Sequence, residues 1–347
     1  MTDTAPAPAV WFPTVHAGTG TDVFTLQLCQ GLNAIGLRAE ITWLPHRAEY
    51  LPWTVAAPKP PPWANIVHVN TWLHRRFIPA NLPMVATMHL CVHDPALAPY
   101  KSRVQKLYHK LWVKPLEARV LGRASRVVAV SRYTAARTQE AFGLRDVHVI
   151  HNGVPMPDDT TPKRHTPHKP FRLLYVGNWS RRKGVDLLAP IMQSLGADFE
   201  LGYTADAHGA HQGAVLPANC TNIGRLNHEQ LLRAYRDADA LLFPSRLEGL
   251  PLSVIEAMTT GLPVVAAACS SLPELVIDGE TGLLFEQDDV AAAVAAVKRL
   301  AADADLWLRF GIQAQRRADR CFGLETMVQS YEAVYRELVG NRNDENE

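Results

Sequence analysis

Glu248 and Glu256 stand eight positions apart in the stretch FPSRLEGLPLSVIEAMTTGLPVVAA, residues 243–267. Were all eight steps helical, the two carboxylates would be about 12 Å apart at roughly 1.5 Å per residue. That is too far for a pair sharing one proton. It suits the two ends of an extended ligand whose anionic middle lies at a helix N-terminus, against free N–H groups and the positive end of the helix dipole. Taken singly, each acid is equally a loop glutamate or a solvated helix glutamate. A second group of chemical side chains is Arg181-Arg182-Lys183-Gly184, where a basic loop after a strand can clamp phosphate oxygens. A third is His89, just past an apolar run ending at Met88, the edge at which open α/β sheets bind ligands.

These residues need a scaffold, and the pattern around them is repetitive. Ala240–Phe243 and Val264-Val265-Ala266 read as buried parallel strands. Between them Leu252, Ile255 and Met258 mark a helix that Pro251 can open and Gly261-Leu262-Pro263 closes. The N-terminal half alternates in the same way. A strand Ala9–Val15 leads through Ala17-Gly18-Thr19-Gly20 into a helix over Asp22–Ile35, then a strand over Glu40–Leu44. Strand, glycine turn, helix, strand is the opening of a doubly wound domain. Further strands are expected over Ile66–Asn70, Met84–Met88, Arg126–Val130 and Val147–Ile150. In the second half they are expected over Phe171–Val176 and Phe199–Tyr203. Asp237-Ala238-Asp239 has the spacing of a D-x-D metal motif and reads as a helix-to-strand turn.

At 347 residues and 47% apolar content the chain has material for two cores. Net charge is +1, but residues 1–155 hold 16 Lys and Arg against 8 Asp and Glu, and the remainder 19 against 26. The basic half suits anionic partners; no nucleic-acid motif accompanies it. Five scattered cysteines without a CxxC fit free thiols in a reducing compartment. The N-terminus has neither a basic region nor an apolar core, and no apolar run approaches the ~20 residues of a membrane span. Tyr100–Arg123 is expected to be helical with a kink or break at Pro115. Val104, Leu107, Tyr108, Leu111 and Trp112 share one face and Lys101, Arg103, Lys106 and Lys110 the other. Two readings are open: a core helix with a solvated basic face, or an interfacial helix on anionic headgroups.

Glu248-Gly249-Leu250-Pro251, the seven residues to Glu256, Ala257-Met258 and Gly261–Val265 resemble the nucleotide-sugar signature of family 4 glycosyltransferases of the GT-B class. The resemblance implies an α/β fold of two Rossmann-like domains with parallel sheets facing a central cleft. The N-terminal acceptor domain would be 1–154, the linker 155–170 and the donor domain 171–323. A helix over 324–340 would cross back, and 341–347 would be a disordered tail. It implies transfer of a hexosyl group from a UDP- or GDP-sugar to a hydroxyl of a glycan or lipid-linked saccharide, with retention of the α configuration and no metal or other cofactor. Glu256 would hold the ribose hydroxyls. Glu248 with Gly249, Leu250, Pro251 and Leu252 would contact the donor sugar, and His89 its 6-hydroxyl. Lys183 would offset charge on the diphosphate, with Gly18, Gly20 and Arg225 near the donor. Asn178 occupies the position of the usual arginine, so Arg181 or Arg182 would supply that charge. The setting would be cytoplasmic, at or near the inner face of a membrane. A sugar phosphorylase, a nucleotide-sugar epimerase and an inactive binding protein are the rival readings.

Overall fold

The computed structural model describes residues 6–157, 164–205 and 215–344. The chain divides into two compact units, one running to Gly153 and taking back the chain from Leu324, the other Val154–Gly323.

The first unit is built on a six-stranded sheet. Its strands are β1 (Ala9–Val15), β2 (Arg38–Leu44), β3 (Ile66–Asn70), β4 (Met84–Met88), β5 (Arg126–Ala129) and β6 (His148–Val149). The order is β2-β1-β3-β4-β5-β6 and every pairing is parallel. Parallel strands covered on both faces must be apolar throughout, and all five residues of β4 are buried. Helix α1 (Gly20–Ala34) buries Phe24, Leu28 and Leu32 and begins two residues before the expected Asp22, so Gly20 lies inside it. Next come α2 (Arg103–Tyr108), a π-turn over His109–Val113 and α3 (Lys114–Arg123). The helical run does not break at Pro115; its irregularity is the π-turn just before the proline. A proline cannot donate to the carbonyl four residues back. The wider turn just before it takes up that mismatch, as π-turns inside helices do. Helix α4 (Arg132–Phe142) is capped by Ser131, whose Oγ accepts from Thr134 N–H at 3.0 Å.

The second unit repeats the plan with β7 (Phe171–Tyr175), β8 (Phe199–Tyr203), β9 (Cys220–Asn222), β10 (Ala240–Phe243), β11 (Val264–Ala267) and β12 (Gly282–Phe285), in the parallel order β12-β11-β10-β7-β8-β9. Its helices are α5 (Val185–Leu195), α6 (His228–Asp237), α7 (Leu252–Thr259), α8 (Leu272–Leu275), α9 (Val290–Ala302) and α10 (Ala304–Phe322). Every residue of β10 and β11 is 0% exposed. Asp239 of the D-x-D spacing is fully buried and accepts from Arg164 Nη1 and from the Arg172 and His168 N–H groups, so it ties the start of β7 to the turn after α6.

The last helix, α11 (Leu324–Asp344), belongs to the first unit and reaches into the stretch expected to be a tail; residues 345–347 lie outside the described part. It lies against α1 so closely that a Cβ on Gly31 would fall 2.4 Å from Val328 Cγ2. A buried polar chain ties it to the sheet. Tyr335 Oη is 2.6 Å from His68 Nδ1, Thr87 Oγ1 is 2.8 Å from His68 Nε2, and Tyr331 Oη is 3.0 Å from Thr87. Burial, aided by His89, pulls the His68 imidazole down to about 3. The unfolded chain therefore binds more protons than the native one between about pH 3 and the ordinary 6.5. We expect the Tm to fall as pH drops through that window. His68→Asn, measured by calorimetry at several pH values, should flatten the slope while lowering the Tm at neutral pH.

Candidate active site

Both sheets are all-parallel, so every strand of a unit ends on the same edge, and the loops after β7 and β10 are neighbours because those strands pair. After β7 the chain forms a 3-10 turn over Arg181–Lys183 and closes on Gly184, with φ +72°. A Cβ at Gly184 would lie 2.0 Å from the Pro244 carbonyl oxygen. Only glycine allows both the left-handed backbone and this approach. The Arg246 N–H then donates to the Arg182 carbonyl at 2.9 Å, joining the two loops backbone to backbone.

That junction sets a buried charge cluster. Lys183 Nζ is 2.7 Å from Glu248 Oε1 and Arg182 Nη1 3.5 Å from Oε2. Ser245 Oγ donates to Oε1 as well. Glu248 is only 5% exposed. Burial by itself would push its carboxyl up; Lys183 and Arg182 outweigh this and hold it below the usual carboxylate range. Burial pulls the Lys183 ammonium down, against the opposing pull of Glu248. The Glu248 N–H donates to Ser270 Oγ at 2.9 Å, from a serine held at φ +47°. A side chain in that region costs about 1–3 kcal/mol and persists only where its surroundings enforce it.

Sequence reasoning missed Arg246, Asp186 and Asp288. Arg246 sits in the same loop with a side chain 7% exposed, and forks onto Asp186 of α5 at 2.7 and 3.0 Å. Its Nε donates to Asp288, another non-glycine residue at positive φ, and a further N–H goes to the Arg181 carbonyl. The bonds to Asp186 outweigh burial and raise the guanidinium further above its ordinary value. No spacing rule connects positions 186, 246 and 288; an arginine two residues before Glu248 was the one available signal.

Gly249, Leu250 and Pro251 are buried with Glu248. Pro251 stands as the cap of α7, one residue before the helix, and Leu252 is its first residue. No side chain caps this N-terminus. Glu256, half-buried on α7, accepts from the Tyr235 hydroxyl at 3.1 Å, and burial raises its pKa. Of the other basic residues, Arg181 is exposed and 3.9 Å from Asp186, and Arg225 is exposed on the loop after β9. Asn178 is exposed too, and its carbonyl accepts from the Tyr175 hydroxyl at 3.2 Å. Arg182, not Asn178, is the second cation beside Glu248.

His89, Gly18 and Gly20 belong to the first unit. His89 follows β4, half-buried, with its ring edge-on to Phe24 at 4.6 Å. Burial lowers its pKa to about 4, so the imidazole is neutral at physiological pH. Asn70 Nδ2 donates to Thr14 Oγ1, which turns Asn70 Oδ1 toward His89 Nε2 at 3.1 Å. Nε2 therefore carries the proton, and Nδ1 is an acceptor. Gly18 has φ +67°, as a glycine turn requires. Its N–H, however, donates to Asp22 Oδ2 at 2.7 Å, and the Ala17 N–H to the same oxygen at 3.0 Å. The Ala17 and Gly18 amides are thus satisfied by a carboxylate in the first turn of α1. Gly20 makes no turn, being the first residue of α1.

We expect Gly184→Ala to cost about 2–5 kcal/mol, combining backbone strain with overpacking. Arg246→Ala should cost about 1.5–3 kcal/mol by removing the charged hydrogen bonds that tie the loop to Asp186 and Asp288. Urea unfolding of the full chain checks both.

Comparison with known proteins follows the division into units. Residues 41–156 match the model of Glycosyltransferase Family 4, and residues 158–317 that of Glycosyl transferases group 1. A glycogen synthase of Mycobacterium tuberculosis is 26% identical over 287 residues, 78% of this chain and 68% of that protein. Among solved structures, sucrose-phosphate synthase from Thermosynechococcus elongatus aligns with a TM-score of 0.76 at 20% identity, covering 97% of this chain and 100% of the other. Anabaena HepE, solved in complex with UDP-glucose, aligns at 0.65 and 17% identity, covering 93% and 97%. At these identities the two structures speak for the fold, which is GT-B.

Proposed function

We infer the reaction from one premise: the chain belongs to the family 4 glycosyltransferases and is a transferase of the GT-B type. We propose that it moves a hexosyl group from a UDP- or GDP-sugar to a hydroxyl of a glycan or lipid-linked saccharide, with retention of the α configuration. The observation that carries this reading is the buried cluster of Lys183, Arg182 and Glu248 at the carboxyl edge of β7 and β10.

In this reading the diphosphate takes over the charge that Lys183 now shares with Glu248. Two fixed cations in a site shielded from water stabilise a growing negative charge without reorganisation, which is where electrostatic catalysis is strongest. The bond from the anomeric carbon to the phosphate oxygen breaks. The acceptor oxygen bonds to that carbon from the same face, and its proton passes to the departing diphosphate. Glu248, ionised, accepts from donor-sugar hydroxyls, with Gly249–Leu252 shaping the pocket. Glu256 accepts from the ribose hydroxyls, held in place by Tyr235. His89, neutral with Nδ1 as an acceptor, suits a sugar hydroxyl. Arg182 and Lys183 supply the compensating charge, and the reading requires no metal. Asp22 argues against Gly18 as a phosphate cradle, since an anion would meet a carboxylate already on those amides. The five unpaired cysteines support a reducing, cytoplasmic setting.

Release of nucleotide from UDP- and GDP-sugars, with and without acceptors, tests the reading. Lys183→Ala and Glu248→Ala should each lower kcat about 10²-fold or more, the usual loss for one preorganised charge-stabilising group. Full activity in both variants would overturn the assignment. UDP or GDP should raise the Tm in step with the logarithm of its concentration, and Glu256→Ala should weaken that shift.

A further inference from the structure

Helix α2 buries none of its residues. Val104 is 78% exposed, Leu107 58% and Leu111, in the π-turn, 65%. Of the face shared by Val104, Leu107, Tyr108, Leu111 and Trp112, the two aromatics are half-buried and the three aliphatics lie in solvent. Packing does not account for three branched aliphatics at helical spacing in water. The ridge does not stand alone. The Tyr50 ring is 6.2 Å from Tyr108 and the Trp53 ring 6.3 Å from Trp112, so Trp53, 61% exposed, is set beside the helix.

Cations surround this ridge. Residues 101–123 carry seven Lys and Arg and one acid, Glu117. That acid is fully buried, bonded to Thr71 and 2.8 Å from His93, so it neutralises nothing at the surface. The His74 ring stacks on Trp112 at 6.3 Å and 12°, which brings the adjoining turn with Arg75 and Arg76 alongside. A small cavity of about 40 Å³ lies there, with His74, Arg75, Arg119 and Arg123 in its wall. Burial and the nearby Arg75, Arg76 and Arg119 pull the His74 imidazole below its ordinary range. Among the described residues, Arg75, Arg76, Lys106, Lys110 and Lys114 have no carboxylate partner.

We propose that this surface, α2 with the π-turn, the Tyr50–Trp53 segment and the Arg75–Arg119 cations, docks on an anionic lipid bilayer. An aliphatic ridge with a tryptophan at its side matches the boundary between headgroups and acyl chains, and the cations match headgroup phosphates. A nucleic acid would satisfy the cations but not the aliphatics. A protein partner is the poorer fit because lysine is depleted in protein interfaces. The inference is independent of the reaction, since vesicle binding is read without a donor sugar.

The full chain should be sedimented with vesicles of phosphatidylcholine alone and of phosphatidylcholine mixed with phosphatidylglycerol. Binding to the mixed vesicles should be at least about ten-fold tighter and should weaken with added salt. Leu107→Glu with Leu111→Glu should lower it about ten-fold or more. Arg75→Gln with Arg119→Gln should lower it about ten-fold or more and reduce, without abolishing, its salt dependence. All four positions are exposed, and an unchanged circular dichroism spectrum and Tm would show that the variants fold. No binding, equal binding to neutral vesicles, or variants that bind as the parent does would each overturn the proposal. So would light scattering that showed the parent dimeric and the leucine variant monomeric, because the ridge would then be covered by a second copy.

Discussion

One close approach governs the second unit: Gly184 against the Pro244 carbonyl. With no side chain there, the turn after β7 lies flat on the end of β10, and Lys183 and Glu248 meet in a space that holds little water. Two buried opposite charges are not a source of stability in themselves, because desolvation offsets much of their attraction. Their arrangement persists because other bonds bear the load. Arg246 links the loop to α5 and to Asp288, Ser270 holds the Glu248 amide, and Ser245 and Arg182 satisfy what remains of the carboxylate. The reactive pair is a tenant of that framework. Two non-glycine residues at positive φ, Ser270 and Asp288, both hold this loop, so the strain in the unit is spent where charges are positioned.

The first unit handles polar groups differently. Two of its histidines are neutral: His68 is locked between Thr87 and Tyr335, and the half-buried His89 is oriented by Asn70. The glycine turn after β1 closes on its own acid, Asp22. Charge has moved outward, onto α2, α3 and the turn at Arg75. The two sequence halves, one basic and one acidic, thus differ in where charge resides as well as in its sign. One uses it in a sealed cluster, the other on a surface.

Much of this was legible from residue order. Strand positions followed from short apolar runs, because a parallel strand covered on both faces admits little else. The signature from Glu248 to Val265 placed α7 and β11 within a residue or two, and the apolar run Ala240–Phe243 placed β10. Sequence reading went astray where a local rule met a tertiary alternative. Pro115 lies inside a continuous helix because a π-turn accommodates it. Periodicity put Val104, Leu107 and Leu111 on one face correctly, but periodicity says only that residues share a face and not what covers it. At Gly18 the fold adds what the pattern does not reveal, a carboxylate four residues on that accepts from the Ala17 and Gly18 N–H groups.

What the order of amino acids determined alone was most of the strands and helices, their parallel character and the identity of the acids and bases available for chemistry. These are local properties, set by side-chain period, glycine and proline placement and spacing within about twenty residues. Tertiary structure alone decided which charges are paired. Asp186, Arg246 and Asp288 are separated by 60 and 42 positions, yet share one set of hydrogen bonds. The reason is physical: a long-range ion pair forms where folding excludes water around two groups, and exclusion of water is a property of packed loops, not of any segment read in isolation.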